Sequence, residues 1–219
     1  MTAPATPGAA SAAPLPYATL LGFARYIGRT GPAKAALVGG LRRQRAGRSG
    51  FNPHGQLVKA LKADIAFHTG GTHLRAVVDV VKPRWHPLYE ALVPGALTYL
   101  GSLDDPSTVQ VAATRDALGM LGDLPVKVNP HFGLRYPDGR AEAVRLHFDE
   151  QPPSPDAVLA ILHLMARHMA QILPGAEPVL VDVRRGEVHR ADPAVKAEQV
   201  ERWLAGEAAG FSAMWSTPA

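Results

Sequence analysis

The sequence contains no cysteine. Disulfides, thiolate metal sites, iron–sulfur clusters and a cysteine nucleophile are therefore excluded from this 219-residue chain. Aromatic residues are scarce, at 6%. Long apolar runs are missing too: none approaches the roughly 18–20 residues that a membrane-spanning helix needs, so no membrane partner is expected. Nucleophile elbow, zinc signature and dinucleotide fingerprint are all absent. Restriction-type nucleases hold a metal with an acid–x–lysine pair, and Glu142-Ala143-Val144-Arg145 lacks the lysine. No cofactor and no metal is expected, and no reaction class is indicated.

The most uneven shortage is of acid. The first acidic residue is Asp64, and residues 1–63 carry nine basic side chains. Residues 64–219 hold fourteen basic and nineteen acidic side chains, which brings the whole chain to +4. Such asymmetry points to a polyanion facing the first part. Residues 1–16, MTAPATPGAASAAPLP, have no charged side chain at all. They lack the positive start of a secretory signal and bury too little to order themselves, so a disordered arm is expected. Arginine outnumbers lysine 17 to 6 and alanine is abundant, which fits a GC-rich bacterial source and a cytoplasmic protein.

What is present is 47% hydrophobic, enough for a globular core. Residues 17–122 read as a basic, mostly helical region. Gly31-Pro32 starts a helix with proline in its first turn, and Asn52-Pro53 starts another whose Leu57, Val58, Leu61 and Ile65 share a face. Thr72–Val81 fits helix or strand. Trp85–Leu100 reads as a helix interrupted at Pro94-Gly95, and Ser107 is expected to cap a last helix through Leu121, with Leu118 and Leu121 inward.

Residues 123–219 change period. Val126, Val128, Phe132, Leu134 and Tyr136 alternate with polar positions, as do Val144, Leu146 and Phe148. Pro137-Asp138-Gly139 supplies the turn, so Phe132 should face Val144 with one apolar side buried. On the polar side, His131 is expected opposite Arg145, Asn129 opposite His147 and Lys127 opposite Asp149. Ser154-Pro155 opens a long helix with Val158, Leu159, Leu162, Met165, Met169 and Ile172 as its apolar stripe, stopped by Pro174-Gly175. On it, His163, Arg167 and Gln171 read as a polar outer face. EPVLVDVRRGEVHR reads as two further strands, and Asp192-Pro193 as the start of a terminal helix to about Ala208. The fold class expected is α+β: a helical first half, then a small antiparallel sheet of hairpin, helix and strand, covered by helices.

Three functional readings follow. The first is a nucleic-acid-binding accessory or regulatory protein, gripping phosphates of DNA or RNA through Arg42, Arg43, Arg45, Arg48, Lys59 and Lys62. The second is a small enzyme or ligand-binding domain that holds an anion at Asn129, His131, Arg145 and His147. The third is a protein-interaction module, with the basic segment docking on an acidic partner, and with the apolar tail at Phe211, Met214 and Trp215 open to a homodimer or a protein partner. FHTGGTHLR, residues 67–75, reads as a turn; His68 and His73 are too far round a helix to share a metal.

Overall fold

The computed structural model describes residues 16–46, 52–103 and 105–217. The expected disordered arm lies outside them apart from Pro16. The described chain begins with a two-residue strand β1 (Ala18–Thr19), then α1 (Leu20–Ile27), α2 (Pro32–Ala46), α3 (Gly55–Phe67), α4 (Thr72–Val80) and α5 (His86–Gly101). A mixed second half follows: β2 (Gln110–Ala112), β3 (Ala117–Leu121), β4 (Leu124–Val128), β5 (Phe132–Arg135), β6 (Ala141–His147), α6 (Pro155–Arg167), α7 (Met169–Ile172), β7 (Glu177–Asp182), β8 (Glu187–Arg190) and α8 (Ala197–Ser216). This is the expected α+β class with helices first. Among the described residues no helix is long and apolar enough to cross a membrane.

Local chemistry sets several boundaries. Thr19 caps α1 by accepting from the Gly22 amide at 3.1 Å, and Ser154 caps α6 by accepting from the Ala157 amide at 3.2 Å. Gly139, at φ 88°, turns the β5–β6 hairpin. Phe132 faces Val144 and Leu134 faces Glu142, the register that the turn length predicts. Pro94 sits inside α5 without breaking it, a correction to the expected interruption. Its lost backbone hydrogen bond falls on the exposed side of the helix, at Glu90 and Pro94.

Five strands form one sheet in the order β2-β5-β6-β7-β8, and three form another in the order β1-β4-β3. The expected helix from Ser107 to Leu121 is instead β2 and β3, and Leu118 is exposed rather than inward. The reason lies in Gly122-Asp123, a two-residue turn with Gly122 at φ 55° that folds β3 back on β4. The expected continuous strand from Val126 to Tyr136 breaks at Asn129-Pro130, since proline has no donor for a ladder. Its halves join different sheets, so Lys127 lies beside Leu118 and pairs with Asp116 at 2.6 Å, not with Asp149. The main sheet is mixed rather than antiparallel: β6 and β7 run parallel, and α6 makes the crossover that such a pair requires.

Both faces of β6 are buried, which corrects the single buried face that its alternation predicts. Val144 and Leu146 join Val179, Val181 and Val183 in a core roofed by Leu57, Leu61 and Ile65 of α3, Leu74 of α4, and Leu92 and Tyr99 of α5. Ala141, Ala143 and Leu180 face a second core with Phe23 of α1, Ile161 and Met165 of α6, Leu204 and Phe211 of α8, and the inner side of the small sheet. The terminal helix begins later and ends later than expected, because Asp192 closes a turn by accepting from the Ala194 amide at 2.8 Å. Phe211 and Trp215 thus lie within α8 and are buried beside Phe23 and Tyr26, where edge contacts such as Tyr26–Phe211 at 5.2 Å add about 1 kcal/mol each. The apolar tail docks on its own chain. His163 and Arg167, expected on an outer face, both bind Glu201 at 2.9 Å and tie α6 to α8.

Candidate functional site

The acid-free segment finds its acids far away in sequence. Lys34 of α2 pairs with Glu207 of α8 at 2.5 Å, and Arg25 of α1 makes a two-pronged pair with Asp149. Arg42 donates to the Trp215 and Thr217 carbonyls at 3.2 and 3.0 Å, at the negative end of α8. Arg45 donates to the Tyr17 carbonyl at 2.6 Å and lies over the rings of Tyr17 and Trp215, at 4.4 and 4.8 Å. Arg43 is exposed, and Arg48 lies outside the described residues. Lys59 and Lys62 are on α3, which roofs the opposite face of the main sheet from α2. The five described candidates, Arg42, Arg43 and Arg45 on α2 and Lys59 and Lys62 on α3, are therefore divided between the two sides of the main sheet.

The hairpin candidates fare differently. Arg145 is 6% exposed and donates from Nη1 to the Asn129 carbonyl at 2.6 Å. Its Nε and the Asn129 Oδ1 are buried without a hydrogen bond. Burial, with the nearby Arg25 charge, lowers this guanidinium to about 10, opposed by Asp116. His131 accepts the Leu146 amide on Nδ1 at 2.9 Å, so Nε2 carries its proton. Burial first, then Arg145 and His54, push His131 well below its ordinary value and keep it neutral. His147 donates from Nε2 to the Gln151 carbonyl at 2.9 Å. Asn129 and His131, both half-buried, thus lie near the buried Arg145, while the buried His147 lines a cleft instead.

That cleft, of about 710 Å³, opens where β6 ends and the connection to α6 begins. Ligands favour this end of a parallel strand pair, because the chain there diverges into loops and helix starts. Leu21, Leu37, Leu88 and Ile161 line it with apolar surface, and Arg25, Arg29, Arg184, His54, His147 and Asp149 supply polar groups. The His54 ring stacks on Phe148 at 4.2 Å with a 4° tilt, and His131 meets the Phe148 edge at 5.6 Å. Burial, then Arg25 and Arg184 against Asp149, lowers His54 to about 4. In Asp149, burial raises the carboxyl pKa, but the Arg25 pair outweighs it and the net shift is downward. The cleft therefore presents neutral imidazole, an ionised carboxylate already held by one arginine, and two further guanidiniums.

The His54 shift has a sign that can be tested. The unfolded chain takes up a proton near 6.5 and the folded one only near 4, so the stability is complete above pH 6.5 and is lost as pH falls toward 4. The ring is partly exposed, so solvent screening discounts the shift and the expected loss is about 1–2 kcal/mol. His54→Phe keeps the stack and removes the proton site. Urea midpoints at pH 7 and pH 4.5 should differ less in this variant than in the parent chain, though His131 keeps part of the slope. Equal pH slopes would show that His54 titrates normally.

Sequence reasoning counted Arg25 and Arg29 only among the basic side chains of the first part and set Asp149 opposite Lys127; it did not bring them together with His54 and Arg184 in one site. One signal was available for Asp149: DEQPPSP stands between a strand and a helix cap, the place where a parallel crossover opens a ligand site. FHTGGTHLR is a structural turn, with the buried Asp64 carboxylate accepting the His73 and Leu74 amides at 2.9 and 2.8 Å. No protein-family model and no curated protein matches this chain, and the chemistry of the cleft stands on its own residues.

Proposed function

We propose that the protein binds a small anionic ligand, a phosphate or carboxylate carried on an apolar body, in the cleft beside Phe148. The observation that supports this most is the pair Arg29 and Arg184. Both line the cleft, and neither guanidinium has a carboxylate partner among the described residues. Arg184 is oriented by donating from Nε to the Phe148 carbonyl at 3.2 Å, which leaves its two terminal nitrogens to address an anion. Leu21, Leu37, Leu88 and Ile161 offer the apolar remainder its contact surface. This is the ligand-binding reading, moved from the strand face to its end.

A nucleic acid or other polyanion is the second reading, and the lack of any acid before Asp64 favours it. Its phosphates would meet Arg43, Arg48, Lys59 and Lys62 rather than Arg42 and Arg45, whose guanidiniums are engaged. One calorimetric titration separates the two readings. Phenyl phosphate and phenylacetate are each titrated into the full chain and into Arg29→Ala/Arg184→Ala, with duplex DNA and single-stranded RNA in parallel. The cleft reading expects phenyl phosphate to bind more tightly than inorganic phosphate and to weaken about 10- to 100-fold in the double variant. Salt-sensitive nucleic-acid binding that survives the double variant, with no small-anion binding, would replace it with the second reading.

A further inference from the structure

We infer that the protein forms a two-fold homodimer by pairing β3 with β3 of a second copy. β3 is the outer strand of the small sheet, and among the described residues no strand pairs with its free side. The hairpin closes at Leu121 and Leu124, so Ala117, Gly119 and Leu121 spend their backbone groups on β4. Leu118 and Met120 then direct their N–H and C=O groups outward. Such a row is a template for another strand. Edges are commonly blunted by a charge, a proline or a bulge, and Ala117-Leu118-Gly119-Met120-Leu121 has neither charge nor proline, and pairs with β4 without a bulge. Its outer side chains are apolar: Leu118 is 62% exposed and Met120 49%.

The edge is complementary to itself. An antiparallel pair with its two-fold axis at Gly119 sets Leu118 against Met120 of the second copy, and the reverse. These are the residues whose backbone groups are unspent, so the ladder and the side-chain contacts agree on one register. The same register brings Arg115 at one end to Asp123 at the other end of the second copy, twice over. Both are exposed, and neither has an ion-pair partner among the described residues. The product is one continuous six-stranded sheet with opposite charges at each end of the seam. This surface is separate from the cleft, so the inference stands whether or not the cleft binds an anion.

Sedimentation velocity on the full chain, up to about 200 µM, tests this, since a contact of this size is expected to be weak. The expected result is a concentration-dependent species of twice 23.3 kDa. Leu118→Lys/Met120→Lys should weaken dimerisation about 100-fold at unchanged Tm, because both side chains are exposed. Arg115→Asp and Asp123→Arg should each weaken it about 10-fold, and the two together should restore it to within about 3-fold. A monomer at every concentration, a dimer indifferent to the β3 lysines, or charge variants that fail to compensate would each overturn the inference.

Discussion

Gly95→Ala is expected to cost about 3 kcal/mol and to lower Tm by about 9 °C. A Cβ at this point of α5 would lie 1.9 Å from the Val183 carbonyl oxygen and 2.8 Å from the Arg184 carbonyl. These are backbone atoms at the end of β7, so no side chain can swing aside to make room. Gly186 repeats the constraint from the other side, because a Cβ there would meet Thr98 of α5 at 2.6 Å and its φ is 67°. The helix and the β7–β8 turn are therefore interlocked. The same turn carries Arg184 into the cleft, so on the proposed function Gly95→Ala should also weaken anion binding, by displacing the Arg184 backbone while leaving every cleft side chain in place. Gly206→Ala is the control. Nothing lies within 4 Å of its would-be Cβ, and alanine inside α8 should stabilise by about 0.5–1 kcal/mol. Thermal melts of the two variants should move in opposite directions; a Gly95→Ala melt that matches the parent would mean that α5 does not rest on that turn.

Asp64→Ala is expected to cost about 3–4 kcal/mol, for an electrostatic rather than a steric reason. Asp64 is 1% exposed, yet each of its oxygens is used. Oδ1 accepts from Thr69 Oγ1, the His73 amide and His73 Nδ1, and Oδ2 accepts from the Leu74 amide. One carboxylate at the end of α3 thus serves the free amides at the start of α4, which Gly71 has no side chain to cap. Burial raises its pKa, but these hydrogen bonds outweigh burial and hold it below its ordinary 3.8. Its contribution is present above that value and fades only as pH falls through the depressed one. The acid loss between pH 6.5 and 4 expected from His54 and His131 is therefore separate from the contribution of Asp64. Asp64→Asn retains one acceptor oxygen and should recover about half of the loss, read as the difference in urea midpoint at pH 7. A loss below about 1 kcal/mol in the alanine variant would show that water reaches the α4 amides and satisfies them.

The start of α6 and the β5–β6 hairpin were legible because they depend on near neighbours, unlike the ends of α8 or the β2–β3 stretch. Ser154 needs only Ala157 three residues on, and the hairpin register needs only Pro137-Asp138-Gly139 and the alternation on either side. Period-two alternation, however, states that one face of β6 is apolar and is silent on what covers the other. Alanines at 141 and 143 were compatible with a solvent face and with close packing, and the arrival of α6 decided for packing. The break at Asn129-Pro130 had a visible signal in the proline, which the apolar alternation outweighed in the reading.

The charges show the division most plainly. By itself the sequence determined that α1 and α2 are rich in cations with no acid nearby. It also determined the α+β class, the strong helix caps and the hairpin, all consequences of contacts a few residues apart. Only the tertiary structure decided what those cations do. Arg25 meets Asp149 across 124 positions, Lys34 meets Glu207 across 173 and Arg42 meets Thr217 across 175. Coulomb attraction acts on distance in space, and α8 and the β6–α6 connection are brought beside α1 and α2 by burial of apolar surface. That packing consumed part of the apparent polyanion grip, and it left Arg29 and Arg184 in one cleft.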